Sequence, residues 1–148
     1  MNIMINSISL LSRLALAAVF FMASLDKVWN PAAFAQATAT YDLLPIWAVN
    51  TFSAVLAWLE LFLAVMLTVG FWIRPAALWS AYLMAVFTGL MIWSGMVGAV
   101  HDCGCFPGMD SQVGYKDAVR DLLIMLPALW LLWKPGQWLA VDDYLARR

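Results

Sequence analysis

Cys103 and Cys105 are the only two cysteines in the 148-residue chain, and a single glycine separates them in the run His101-Asp102-Cys103-Gly104-Cys105-Phe106-Pro107-Gly108. Residues two apart in a turning chain can come within disulfide range, and the intervening glycine relaxes the backbone between them. The ring such a bond closes is very small, so strain makes it easy to reduce. As a staple it would close almost no loop and stabilise little. The pattern therefore points to electron exchange. His101, the sole histidine, and Asp102 adjoin the pair, where they would tune thiol protonation. Two other readings stay open. Two thiolates and His101 form a soft donor set for Cu(I) or Zn, but three ligands from one loop leave that site incomplete, and no metal is assigned. Alternatively, the two cysteines are inert small residues.

A second group of chemically expressive residues lies in apolar surroundings. Glu60 falls in the middle of a long apolar run, where an ionisable side chain is costly and calls for a partner. The basic residues available in the first apolar run are Arg13 and Lys27, and the resulting pair would fix helix packing. Asp117, Arg120 and Asp121 recur at helical spacing, so Asp117 and Arg120 can meet on one helix face. Arg120 is expected to turn inward behind the cysteine loop. A quinone pocket around Trp93 and Phe106 has no support from spacing, and the cofactor remains unassigned.

These residues must be positioned by membrane helices. The chain is 65% apolar and 11% charged, against roughly 45–50% and about 25% in soluble domains. So short a chain cannot enclose that much apolar surface in one core. Nine tryptophans fit the two membrane interfaces. The net charge of -1, with no basic run, gives no footprint for nucleic acid. Spanning the hydrocarbon takes about 20 mostly apolar residues, and four runs qualify, at 8–29, 51–71, 76–97 and 117–133. The first is read as a retained helix and not a cleaved signal, because Asp26 and Lys27 interrupt the approach to Ala37-Thr38-Ala39. Ala32–Trp47 reads as a connection with a short interfacial helix, and Asn50 or Thr51 as the cap of the second span.

The expected fold is all-α, an integral membrane four-helix bundle forming one domain over residues 1–148. Arg13, Arg74, Lys134, Arg147 and Arg148 fall on one side, against Lys27, Lys116 and Arg120 on the other. Positive charge accumulates on the cytoplasmic side, which puts both termini there. The cysteine loop then faces the periplasm, where disulfides persist.

The residues that carry this pattern resemble the DoxX-like superfamily, and most closely its methylamine-utilisation MauE branch, over roughly residues 13–126. The resemblance rests on Arg13 opening the first span, Asp26-Lys27-Val28-Trp29-Asn30-Pro31 closing it, and Tyr41-Asp42-Leu43-Leu44-Pro45 ahead of the second. Trp58-Leu59-Glu60-Leu61, Cys103-Gly104-Cys105-Phe106 and Arg120-Asp121-Leu122 complete it. Pro107 departs from a family loop that commonly continues with glycine, and Tyr115 stands where an aromatic, often Trp, precedes the fourth helix. The resemblance implies a four-helix membrane protein of the bacterial inner membrane that forms or processes disulfides in periplasmic proteins beside a thioredoxin-like partner. Other members of the superfamily are linked to quinone. On this reading Cys103 and Cys105 exchange electrons, with Glu60, Arg120, Asp121, Lys27 and Arg13 in support. The rivals from other classes are a non-catalytic anchor or assembly subunit of a redox complex, and a thiolate metal-handling protein.

Overall fold

The computed structural model describes residues 3–41, 43–97, 115–135, 140, 141 and 144. His101, Asp102, Cys103 and Cys105 lie outside the described residues, as do Asp42 and Phe106. Among the described residues the chain is helical throughout, in the order α1 (Ile3–Trp29), α2 (Pro31–Ala39), α3 (Ile46–Val69), α4 (Ile73–Val97) and α5 (Tyr115–Trp133).

The helix boundaries follow local chemistry. Pro31 ends α1 by disfavouring helical geometry at Asn30, and then serves as the first residue of α2, where its missing N–H is no loss. A short helix thus lies in the connection between the first two spans, where one was anticipated. Pro45 precedes α3 in an extended conformation, with no side-chain cap. The helix therefore begins at Ile46 and not at the Asn50 or Thr51 that composition suggested. Gly70 closes α3 in the left-handed region, φ 73°, its N–H donating to the Met66 carbonyl at 2.9 Å. The chain turns through Phe71 and Trp72 and enters α4 directly.

Among the described residues three helices, Ile3–Trp29, Ile46–Val69 and Ile73–Trp93, are long and apolar enough to cross a membrane. The run expected as a fourth span, 117–133, forms α5, but Lys116, Asp117, Arg120 and Asp121 crowd its first two turns. Its sequence alone therefore falls short of a spanning segment. It nevertheless packs along α4 and α1, while α1 packs chiefly on α3, and α2 lies against α3.

The inside is built from small residues. Ala17, Ala64, Ala76, Ala77 and Ala128 are all buried, as are Ser9, Ser24, Ser53 and Ser80. In lipid there is no hydrophobic drive between helices, so close backbone approach over small side chains supplies the attraction. Larger residues, Leu16, Phe20, Leu63, Leu67 and Leu131, fill the centre. Ser24 donates to the Phe21 carbonyl at 2.9 Å and Ser9 to that of Lys134 at 2.7 Å, whereas the buried hydroxyls of Ser53 and Ser80 have no hydrogen-bond partner among the described residues. The large apolar side chains that a soluble protein would hide face outward instead. Trp29 and Trp47 at one end, and Trp72 and Trp133 at the other, are exposed, as befits aromatic belts at two interfaces.

Contacts define the two ends. Ser9 reaches Lys134, and Arg13 lies against Gly70 and close to Ala140, so the start of α1, the α3–α4 turn and the end of α5 share one end. The opposite end gathers the close of α1, α2, the start of α3, the close of α4 and the start of α5. The close of α4 at Val97 and the start of α5 at Tyr115, which flank residues 98–114 in the chain, both fall there.

Gly70 is the position at which this packing admits no side chain. A Cβ would stand 2.5 Å from Arg13 Nη1 and 2.8 Å from Ala140 Cα, on a left-handed backbone. Gly70→Ala is expected to lower stability by about 1–2 kcal/mol through the backbone alone, and further through the displaced Arg13. Thermal unfolding in detergent reads this directly, and an unshifted transition would contradict the left-handed turn.

Candidate functional site

Lys27 and Glu60 find each other inside the helix assembly. Lys27 lies in the last turn of α1, on the face that carries Phe20, Ala23 and Ser24 inward, and Glu60 on the buried stripe of α3 with Leu56, Ala57, Leu63 and Ala64. The Lys27 ammonium donates to both carboxylate oxygens of Glu60 at 2.6 Å, and each residue is only 2% exposed. Of the two basic partners available by composition, the structure selects Lys27. Arg13 is buried at the other end, under Gly70.

The ammonium is also the place where the remaining elements converge. The Phe34 ring of α2 lies 4.8 Å from Lys27 Nζ and the Phe87 ring of α4 lies 5.1 Å away. Both distances suit attraction of a cation by an aromatic face, which strengthens when water is excluded. From α5, Asp121 is buried and borders a void of about 20 Å³ together with Lys27, Glu60 and Phe87. A void of that size accommodates about one water. Arg120, partly exposed, donates from Nη2 to Asp121 Oδ1 at 3.2 Å and from Nε at 3.3 Å. The Asp117 side chain, the partner expected for Arg120, lies outside the described side chains. Arg120 also lines an open groove between α1 and α5, together with Leu16, Val19 and Pro127.

Phe34 and Phe87 have a second role that sequence inspection did not single out. Both also line an apolar cavity of about 260 Å³ between α2, α3 and α4, bounded further by Tyr41, Phe52, Leu56 and Met91. Burial pushes the Tyr41 phenol above its ordinary pKa of 10.0, so it remains a protonated hydroxyl at neutral pH. Trp93, considered as a pocket residue from sequence, is exposed and stands outside this lining. No spacing signal betrays the cavity, because its walls come from three helices and the turn after α2. The one available hint was the aromatic density of the stretch from Phe34 to Phe52.

Long apolar helices joined by short turns, with tryptophan at their ends and a charge pair sealed between them, define a multi-pass helical membrane protein. The chain belongs to the MauE family: the family model described as methylamine utilisation protein MauE matches residues 5–134. No curated protein and no solved structure matches it.

Proposed function

We propose that the protein is the membrane component of a thiol–disulfide exchange system, with Cys103 and Cys105 as its redox pair. The observation that carries this reading is the Cys103-Gly104-Cys105 sequence in the segment joining α4 to α5, next in the chain to the end of the assembly that holds the Lys27–Glu60 pair and the apolar cavity. One thiolate attacks a partner's disulfide, or a partner's thiolate attacks the oxidised pair, and the second cysteine resolves the mixed disulfide. His101 and Asp102 supply and withdraw the proton. Lys27, Glu60, Arg120 and Asp121 hold the close of α1, the middle of α3 and the first turns of α5 together, and Arg13 secures the opposite end.

In this proposal α5 completes a four-helix bundle with both termini in the cytoplasm. Its charged first turns then fall at the periplasmic interface. Such ends are tolerated because long side chains reach the headgroup region. The protein then resides in the bacterial inner membrane, its partner is a periplasmic thioredoxin-like protein, and electrons leave through a membrane quinone. The family description ties the process to methylamine utilisation, and on this reading the substrate class is a disulfide-bearing periplasmic protein.

The test is side-specific labelling. A membrane-impermeant maleimide applied to intact spheroplasts is expected to modify Cys103 and Cys105 only after treatment with a mild reductant. Labelling from the cytoplasmic side alone would overturn the assigned compartment. Labelling that is independent of reduction under every growth condition would remove the redox role.

A further inference from the structure

We propose that the cavity between α2, α3 and α4 is the binding site for a flat, lipophilic two-electron acceptor of the quinone class. The inference rests on the thiol-exchange reading for its physiological meaning, but the site itself is argued from the cavity.

Size and shape are the first argument. A dry cavity of about 150 Å³ suffices for benzene, and this one, at about 260 Å³, has room for a ring with substituents. Its walls are aromatic on several sides, through Phe34, Tyr41, Phe52 and Phe87, which suits offset or edge-on contact with a planar ring. Leu43, Phe52 and Val86 line the cavity and are also exposed. It therefore opens on the outer surface of the helices, where a tail can remain among lipid chains.

Polarity is the second. Phe34 and Phe87 line the cavity and also contact the Lys27 ammonium, whose charge is already neutralised by Glu60. The polar residue on the otherwise apolar wall is Tyr41, with Thr38 beside it, and a protonated phenol suits the oxygens of a quinone ring. A saturated acyl chain gains nothing from it. Position is the third. The cavity is built from the close of α4 and the start of α3, at the end where segment 98–114 leaves α4. Overall, two thiols and one quinone give one disulfide and one quinol. The S–S bond forms, two S–H bonds break, and two electrons and two protons pass to the ring oxygens.

The experiment measures binding of decylubiquinone to the purified full chain in phosphatidylcholine nanodiscs. Saturable binding at one equivalent is expected. Ala37→Phe, which fills the cavity from α2, is expected to weaken it by about tenfold or more, whereas Ala33→Phe, exposed on the same helix, changes it by less than about twofold. Leu90→Trp fills the cavity from α4 and is expected to match Ala37→Phe, so a folding defect in either variant leaves the other to decide. The Cys103→Ser/Cys105→Ser protein is expected to bind as the parent does, which separates this site from the thiol chemistry. Absence of saturable binding would overturn the proposal. So would equal binding by the parent and both filled variants, or a phosphatidylcholine chain that decylubiquinone does not displace. Intact binding with no thiol exchange would instead sink the redox reading and leave the site standing.

Discussion

Lys27→Met is expected to cost the folded protein about 3–5 kcal/mol, because it leaves a carboxylate buried without its partner. Glu60 is 2% exposed and receives both of its short hydrogen bonds from Lys27 Nζ. Without the ammonium the carboxylate must take up a proton, draw in water or pull the helices apart. The same substitution removes the cation held between Phe34 and Phe87, which contributes about 2 kcal/mol where water is excluded. Glu60→Leu alone is expected to be comparably harmful, since it strands the ammonium. The double variant Lys27→Met/Glu60→Leu should recover most of the loss, as apolar replacements of a buried pair are often neutral. Unfolding of the four proteins in mixed detergent micelles measures all three differences. If each single variant were as stable as the parent, the pair would not be sealed from water as the geometry has it. The double variant has a second use. Should it be stable yet slow in thiol exchange, the pair contributes more than packing, and the void it shares with Asp121 becomes the natural path for a proton.

Much of this architecture could be read from composition and spacing because the bilayer imposes such blunt requirements. Twenty or so apolar residues in a row have few other uses, and Asn30-Pro31 and Gly70 punctuate the runs with well-understood backbone chemistry. The helix starts were less legible. α3 begins at Ile46, following the extended Pro45, because proline geometry sets the turn more firmly than the polar side chains of Asn50 and Thr51 could. The fourth run is ambiguous for a physical reason. Its first turns carry four charged residues within six positions of helix, and only packing against α1 and α4 tells whether such a helix lies beside spanning segments.

The site divides in the same way. That Glu60 needed a cation followed from its position in an apolar run, yet the choice between Arg13 and Lys27 depended on helix direction and stagger. Lys27 lies near the end of α1 to which Glu60 can reach, while Arg13 sits about half the helix away, with the α3–α4 turn. The aromatic cavity was invisible because no pair of its walls is adjacent in sequence except within α2 and its following turn.

Replacing both Cys103 and Cys105 with serine is expected to reduce thiol exchange to the uncatalysed background while leaving the fold intact. The two halves of that expectation have separate physical origins. Activity requires a thiolate to attack a disulfide and a second sulfur to release the product, and a hydroxyl does neither at neutral pH. Stability is indifferent, because a bond across one intervening glycine removes very little freedom from the unfolded chain. The unfolding midpoint in detergent should therefore match that of the parent, and a large drop would reassign the cysteines as structural. The single variants are more informative still. With one cysteine gone, the survivor can attack but nothing resolves the product, so whichever cysteine faces the partner first should accumulate a mixed disulfide visible on a non-reducing gel. The other single variant should accumulate none. Equal accumulation by both would mean the two sulfurs are interchangeable, and the order of attack would then be set by the partner and not by His101 and Asp102. Full exchange activity in the double serine protein would end the redox assignment, and with partner binding retained it would leave a membrane anchor as the function.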